Sequence, residues 1–218
     1  MTSHEFQAKR VEAHGNLPDD FNFSDAILIY GGSFNPFHMA HYLFVSMLCA
    51  YFPNAEKWIV PTYSHAFDKR LMDYDRRIAV LDEALAHFPN TIVSRIERDL
   101  AKTPSYTVDV ARAIRTLHPQ KRLFIVGGAD LLPTLPLWHE IDELQKIADF
   151  LIFPRQGCPT PNALPSGVHF VPSAPLPELS STAIRDAIEH DQLETIRFWL
   201  PAASYRDLAK STRGALLQ

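Results

Sequence analysis

The stretch AILIYGGSFNPFHMAH (26–41) joins a short apolar run to two glycines, a proline and two histidines. Continuous apolar runs of this kind are typical of strands that are buried on both faces of a parallel sheet. Glycine directly after such a strand lets backbone N–H groups approach a ligand, because no Cβ stands in the way. The stretch therefore predicts a strand, a ligand-facing turn at Gly31 and Gly32, and the start of a helix.

Similar apolar runs recur along the chain and alternate with segments of helical periodicity. The runs are KWIV (57–60), TIVS (91–94), RLFIV (122–126), DFLIF (149–153) and VHFV (168–171). Helices are predicted after the first strand, after Asp73 as N-cap, over about 107–117 and over about 140–147. Strands alternating with helices predict an α/β fold with a doubly wound, mostly parallel sheet and helices on both faces. The residues after 180 predict a helical C-terminal end that includes LETIRFWLPAASYRDLAK (193–210).

Length and composition limit the classes of protein to consider. The chain has 218 residues, a net charge of −4 and no long basic run, so neither nucleic acid nor a membrane surface is predicted as a partner. No apolar stretch approaches the roughly 20 residues of a membrane span, and the start of the chain lacks the apolar core of a secretory signal. We predict a polar N-terminal extension (1–23), a single domain (24–218) and a cytoplasmic protein. The oligomeric state stays open, with a homo-oligomer among the options.

Half of the eight glycines form two pairs, Gly31–Gly32 and Gly127–Gly128, and each pair follows a predicted strand. One pair alone would indicate a tight turn without a ligand. Two pairs at equivalent strand ends favour a binding site, because ligands of doubly wound sheets lie beyond the carboxyl ends of the strands. The fingerprint G-x-G-x-x-G is absent after the first strand, which argues against an ordinary dehydrogenase.

His38 and His41 lie three residues apart at the predicted helix start, so they share a face. They could be metal ligands, but no third histidine or cysteine stands at convincing spacing. They could be buried core histidines. The interpretation we prefer is that they donate hydrogen bonds to phosphate at a helix N-terminus, where the dipole favours an anion.

A second candidate anion site opens a helical run near the C-terminus, in LSSTAIR (179–185). The hydroxyls of Ser180, Ser181 and Thr182 could simply cap this helix. Arg185 follows one turn later, so hydroxyls, free N–H groups and a guanidinium converge. Such a group of donors suits the outer phosphates of a triphosphate.

The two motifs together resemble the signatures G-x-F-[DN]-P-x-H-x-G-H and I-S-S-T-x-I-R of the nucleotidyltransferase superfamily. Between them, SYTVDV (105–110), GGADLLPTLPLW (127–138) and DFLIFPRQG (149–157) follow the order and spacing of the bacterial nicotinate-nucleotide adenylyltransferases. The resemblance covers about residues 26–208. It departs at Ala40, where the signature has glycine, and in the loop 61–70, where Lys69 takes the basic position.

The resemblance implies a Rossmann-like fold and adenylyl transfer from ATP to nicotinate mononucleotide, a step of NAD biosynthesis that releases pyrophosphate. It implies ATP and a pyridine mononucleotide as partners, and Mg²⁺ that is bound with ATP rather than by protein ligands. The catalytic residues would be His38, His41 and Arg185. Contacts to ATP and its phosphates are assigned to Gly31, Gly32, Ser33, Phe34, Lys69, Ser180, Ser181 and Thr182. Contacts to the pyridine nucleotide are assigned to Tyr106, Thr107, Gly128, Asp130 and Trp138.

Several alternatives stay open at this point. Trp138 could be a core residue, and Asp130 could cap a helix rather than bind a ribose hydroxyl. Asp109 argues against selectivity for the acid form, since a carboxylate near the pyridine substituent would favour the amide, nicotinamide mononucleotide. Other acceptors such as phosphopantetheine, a cytidylyltransferase, a class I aminoacyl-tRNA synthetase and a nucleotide-binding module without turnover are the rival functions. The synthetase is a longer chain, and the module would be expected to lose a histidine or the arginine.

Overall fold

A computed structural model describes residues 9–10, 23–64 and 71–215. Lys69 and most of the predicted extension 1–23 therefore lie outside the described residues. The strands are β1 (Lys9–Arg10), β2 (Ala26–Gly32), β3 (Glu56–Pro61), β4 (Thr91–Val93), β5 (Arg122–Gly128), β6 (Asp149–Phe153), β7 (Ala163–Leu164) and β8 (Val168–Phe170). All six predicted strands are confirmed, and they form one parallel sheet. The short strands β1 and β7 pair separately and antiparallel.

The helices are α1 (Met39–Tyr51), α2 (Tyr74–Leu85), α3 (Ile96–Leu100), α4 (Thr107–Leu117), α5 (Ile141–Ile147), α6 (Ser181–Glu189) and α7 (Ala202–Ala215). Apart from residues 193–200, the predicted helices are confirmed, including Asp73 as N-cap of α2, whose Oδ1 accepts a hydrogen bond from Arg76 N at 2.9 Å. The prediction missed α3, because five residues are too few to show a periodicity.

The helical prediction for 193–200 is wrong. These residues form turns and one 3₁₀ turn, Arg197–Trp199, and α7 begins only after Pro201. Proline fits at a helix start but cannot continue a preceding helix, because it lacks the N–H donor. Trp199, the last residue of this 3₁₀ turn, is 44% exposed.

The strand order of the parallel sheet is β4-β3-β2-β5-β6-β8, so the direction of winding reverses between β2 and β5. These two strands pair only as far as Ile29 and Ile125. Beyond that point the end of β2 pairs with β3, and the end of β5 pairs with β6. The two strands therefore separate at their carboxyl ends and open a crevice, which is where open α/β sheets bind ligands. Both glycine pairs lie at this crevice.

Alternate residues of the central strands face the two helical layers. Ile27 and Ile29 of β2 pack with α4 and α5, whereas Leu28 packs with α1. The helix α2 covers β3 on the same face as α1, and α6 and α7 form a smaller apolar cluster of their own. Within the described residues, no helix has the length and apolar character needed to span a bilayer.

Candidate active site

The two candidate phosphate motifs meet in space, although more than 140 residues separate them in sequence. Arg185 Nη1 donates to the carbonyl of Asn35 at 2.7 Å, and Ser181 Oγ donates to the carbonyl of Pro36 at 3.1 Å. Arg185 Nη2 also donates to Thr182 Oγ1 at 3.0 Å. The start of α6 thus lies against the turn that connects β2 to α1, so the groups predicted to bind phosphate share one site.

The two histidines occupy the first turn of α1, with His38 as N-cap and His41 at the third helical position. Their rings are stacked, with centroids 3.6 Å apart and planes 16° apart. The backbone N–H of His38 donates to His41 Nδ1 at 3.2 Å. Because Nδ1 of His41 accepts this bond, the proton of the neutral ring is on Nε2.

Burial keeps both imidazoles uncharged at neutral pH. Burial, together with a smaller effect of the nearby positive charge of Arg155, lowers the pKa of His38 from 6.5 to about 4. Burial also lowers the pKa of His41 well below its usual value, with smaller contributions from His38 and Arg155. Each neutral ring offers one N–H donor, and the unpaired N–H groups at the start of α1 add further donors. The pair can therefore bind an anionic oxygen without carrying charge.

The glycines of the two pairs differ in what an added Cβ would contact. A Cβ at Gly31 would meet no protein atom within 4 Å, so the protein itself does not require glycine there. A Cβ at Gly127 would lie 2.2 Å from Leu131 Cδ1, so the Leu131 side chain would have to move to admit it. A Cβ at Gly128 would lie 2.4 Å from Asp130 Oδ1 and 3.4 Å from Arg155 Cδ. Gly128 therefore makes room for these two side chains.

Asp130 and Arg155 form an ion pair beside the second glycine pair, with Oδ2 and Nη1 3.1 Å apart. The carboxylate of Asp130 thus pairs with a cation, and Gly128, not Asp130, is the cap of the following 3₁₀ turn. Arg155 Nη2 also donates to the carbonyl of Leu179 at 3.4 Å, next to the start of α6. Arg155 therefore connects the second glycine turn with the second phosphate motif.

The start of α4, where the pyridine nucleotide is predicted to bind, lies beside the residues that follow β3. Ser105 N and Oγ donate to the carbonyl of Ser64 at 3.2 and 3.0 Å, which fixes the approach to this helix. Tyr106 is the N-cap, Thr107 is the first helical residue, and the Tyr106 ring stacks on His139 with centroids 4.0 Å apart. Trp138, directly before His139, is half-buried and packs edge-on against Phe150 of the core. The structure thus brings Tyr106, Thr107 and Trp138 into one neighbourhood.

Residues 29–187 match the family model described as cytidylyltransferase-like. A protein of Porphyromonas gingivalis named "Probable nicotinate-nucleotide adenylyltransferase" is 31% identical over 84% of this chain and 93% of its own length. A protein of Anaeromyxobacter dehalogenans with the same name is 34% identical over 73% of this chain and 81% of its own. The chain belongs to the cytidylyltransferase-like family and, within it, to the nicotinate-nucleotide adenylyltransferases.

Solved structures share the fold at lower identity. Nicotinic acid mononucleotide adenylyltransferase of Plasmodium falciparum, in complex with NaAD, superimposes with a TM-score of 0.73. It is 19% identical, and the match covers 85% of this chain and 95% of that one. The same enzyme in complex with APC gives a TM-score of 0.69. The chain therefore has the Rossmann-like fold that its sequence motifs imply.

Sequence reasoning missed three side chains that the structure places in or behind the site of this nucleotidyltransferase. They are Arg77, His139 and Arg155. Their main partners come from distant segments of the chain. The local signal for Arg155 was its place in the motif DFLIFPRQG (149–157), two residues after β6 at the ligand-binding edge of the sheet.

Ser180, a predicted site residue, and Asp109, which could oppose binding of the acid form, both have local partners in the adenylyltransferase fold. Ser180 Oγ caps α6 by accepting from Ala183 N at 3.2 Å, which is the capping alternative; its phosphate contact stays a prediction. Asp109 is paired with Lys102 at 2.5 Å and lies 3.9 Å from Arg112, so cations offset its charge. In the described part of the chain, no three histidine, cysteine, aspartate or glutamate side chains cluster as metal ligands.

Proposed function

We propose that the chain transfers the adenylyl group of ATP to nicotinate mononucleotide, giving nicotinate adenine dinucleotide and pyrophosphate. The observation that carries this proposal is the 2.7 Å contact of Arg185 with the Asn35 carbonyl, which joins the two phosphate motifs beside the histidine pair. The names of the most similar relatives agree with this reaction. A reaction that uses ATP in NAD biosynthesis also fits the cytoplasmic location predicted from the sequence.

The chemistry needs alignment and neutralisation of charge rather than a general base. The 5′-phosphate of the mononucleotide is already an anion, and one of its oxygens attacks the α-phosphorus of ATP. The bond between this phosphorus and the bridging oxygen breaks in line, and the electron pair leaves with pyrophosphate. His41 Nε2–H would donate to a non-bridging α-phosphate oxygen as negative charge builds there. His41 cannot act as a base through Nδ1, because that atom accepts the His38 N–H.

The leaving pyrophosphate would be held at the start of α6. Arg185 has five N–H donors, of which one binds the Asn35 carbonyl and one binds Thr182, so others stay available for phosphate oxygens. The free N–H groups of the first helical turn add to the attraction for an anion. Lys69 is proposed as a further phosphate contact on the strength of the resemblance alone.

Mg²⁺ would enter with ATP. Bound Mg²⁺ usually keeps several waters and is held by phosphate oxygens with few protein ligands. The carboxylate of Asp130, which lies at the crevice, is already paired with Arg155. The described residues therefore fit an ion that the nucleotide carries, and when bound this ion would neutralise charge on the phosphates.

The start of α4 supports selectivity for the acid form of the acceptor. Free N–H groups at Tyr106 and Thr107, with the Thr107 hydroxyl, offer donors to both oxygens of a nicotinate carboxylate. A free Asp109 carboxylate one turn further would repel that group. Because Asp109 is paired with Lys102, its repulsion of the nicotinate carboxylate is offset. The N–H and hydroxyl donors then favour the acid form. The ring would stack beside Trp138.

The test is a comparison of initial rates of pyrophosphate release at fixed ATP and Mg²⁺. Nicotinate mononucleotide should give a higher kcat/KM than nicotinamide mononucleotide or phosphopantetheine. Trp138→Ala should raise KM for the mononucleotide far more than KM for ATP, whereas Trp199→Ala, a change at an exposed tryptophan, should alter neither. A preference for the amide would overturn the acid selectivity, and a preference for phosphopantetheine would remove the proposed acceptor.

A further inference from the structure

Phe34, in the turn between β2 and α1, has a backbone conformation that non-glycine residues rarely adopt. Its φ is +45°, and its side chain is 2% exposed. For a bulky residue, the left-handed region costs about 1–2 kcal/mol, and such strain persists only where the surroundings hold it. The ring packs edge-on against His41 with centroids 5.1 Å apart, so a change at Phe34 would move a catalytic candidate.

The carbonyl groups on either side of Phe34 are each held by a different arginine. Arg185 binds the carbonyl of Asn35, as described above. Arg77 Nη1 binds the carbonyl of Ser33 at 2.8 Å. The strained residue is thus fixed from both sides, and only one of these two arginines belongs to a recognised motif.

Arg77 also holds both ends of the next loop. Its Nη2 donates to the carbonyl of Thr62 at 2.8 Å, directly after β3, and its Nε donates to the carbonyl of Met72 at 3.0 Å, shortly before α2. The backbone N–H of Met72 in turn donates to Asn35 Oδ1 at 3.1 Å. One guanidinium therefore joins the phosphate turn to the beginning and the end of the connection between β3 and α2.

The environment of Arg77 is unusual for a buried cation. The residue is 2% exposed, and among the described residues no carboxylate forms a salt bridge with it. The nearby carboxylate of Glu97 accepts from Tyr63 N at 2.8 Å instead. Burial lowers the pKa of Arg77, but arginine stays protonated at neutral pH. Its guanidinium also lies over the Tyr74 ring, 5.4 Å from the centroid. Burying a charge without a salt bridge is costly, and the need to hold the phosphate turn and the two ends of the β3–α2 connection in register provides a reason for it.

We propose that Arg77 is a positioning residue for adenylyl transfer, which fixes the Ser33–Asn35 turn and the β3–α2 connection against each other. It acts through the turn and touches no substrate. The inference rests on the proposed function for its kinetic part. A shift of about 1 Å in the groups that align reacting phosphates can cost up to about 100-fold in rate, so loss of the guanidinium should lower kcat.

The neighbouring residue Arg76 provides a matched control. It lies on the same helix but faces α7, where its Nε is 2.7 Å from Asp207 Oδ1. We would compare Arg77→Lys and Arg77→Met with Arg76→Lys and Arg76→Met. Lysine keeps the positive charge but cannot donate to all three carbonyls as the planar guanidinium does. Methionine keeps a long apolar side chain but has neither the charge nor the donors. The melting temperature, kcat, both KM values and the Kd of a non-hydrolysable ATP analogue would be measured for each variant, at a temperature where each is folded.

Both Arg77 variants should lower kcat about 10- to 100-fold and raise the Kd of the ATP analogue. The Arg76 variants should lower only the melting temperature. If Arg77→Met does not fold, Arg77→Lys decides, since it retains the buried charge. Wild-type kcat and analogue binding in Arg77→Lys, or equal losses of kcat in the Arg76 and Arg77 variants, would overturn the inference. Failure of the wild-type protein to release pyrophosphate would instead contradict the proposed function, and analogue binding would still test the role of Arg77.

Discussion

Replacement of Gly31 by alanine tests the one glycine, among those that the structure describes, that neither packing nor backbone conformation requires. The added Cβ would meet no protein atom within 4 Å, and the backbone there is outside the left-handed region that favours glycine. Glycine within a strand is less stable than alanine by roughly 0.5–1 kcal/mol. In a domain of this size 1 kcal/mol corresponds to about 2–4 °C. Gly31→Ala should therefore leave the melting temperature unchanged or raise it by up to about 4 °C.

The same methyl group should harm catalysis if phosphate approaches the backbone at Gly31. We expect kcat/KM for ATP to fall about 10- to 100-fold, because the methyl displaces the phosphates from the aligned position. Initial rates of pyrophosphate release, together with thermal unfolding, measure both quantities on one preparation. Gly127→Ala is the matched control, since its Cβ would lie 2.2 Å from Leu131 Cδ1. It should cost about 1 kcal/mol of stability through repacking.

Stability and activity of Gly31→Ala are expected to change in opposite directions, and each expectation can be contradicted separately. A large drop in melting temperature would mean that the glycine has a structural role that the packing does not show. Wild-type kcat/KM in a stable Gly31→Ala protein would mean that no ligand approaches this part of the crevice. The second result would refute the assignment of Gly31 to the phosphate site.

Three further predictions concern named side chains. His41→Ala should lower kcat about 10²- to 10³-fold, the usual loss for one transition-state donor, with a far smaller change in the Kd of an ATP analogue; near-normal turnover would contradict this role. Arg185→Ala should weaken the binding of ATP more than the binding of AMP. Arg185→Lys should not restore the affinity, because an ammonium group lacks the forked donors that bind the Asn35 carbonyl and a phosphate together. Titration with both nucleotides measures the two affinities. The pKa of His38 is lowered to about 4, so the unfolded state binds more protons between about pH 4 and 6.5. His38 alone should therefore lower the free energy of unfolding by about 2 kcal/mol between pH 7 and pH 5. Urea unfolding at several pH values should show a weaker dependence of this free energy on pH in His38→Gln than in the wild type, and equal pH dependence would contradict the prediction.

The sequence allowed the strands and both phosphate motifs to be predicted because each is a local pattern. A strand buried on both faces shows its apolar run without reference to the rest of the chain, and the motifs GGSFNPFHMAH and SSTAIR each group several donors within one turn. The helical prediction for 193–200 failed because apolar residues at helical spacing also suit the turns that cover α6 and α7. The 3₁₀ turn before Pro201 is the geometry that the proline permits.

The roles of Arg77 and Arg155 could not be predicted, since their partners are mostly backbone carbonyls. A carbonyl has no residue identity, so nothing in the sequence indicates that Ser33 and Thr62 will be adjacent. The strand order brings them together by placing β3 beside β2. The same order puts Asp130 within reach of Arg155, because β6 lies beside β5. The roles of these two arginines therefore depend on long-range contacts, which local sequence patterns do not indicate.

The contact between Arg185 and the Asn35 carbonyl spans 150 positions of the chain and has a consequence for biosynthesis. Translation proceeds from the N-terminus, and the turn around Phe34 leaves the ribosome long before Arg185 is made. Until α6 emerges, one of the two arginines that hold this turn is missing, and so are the hydroxyls beside it. The proposed contacts to the outer phosphates would therefore become possible only after residues 181–185 have been made. A chain that stops before residue 181 would contain every strand of the sheet and still lack Arg185 and the hydroxyls beside it.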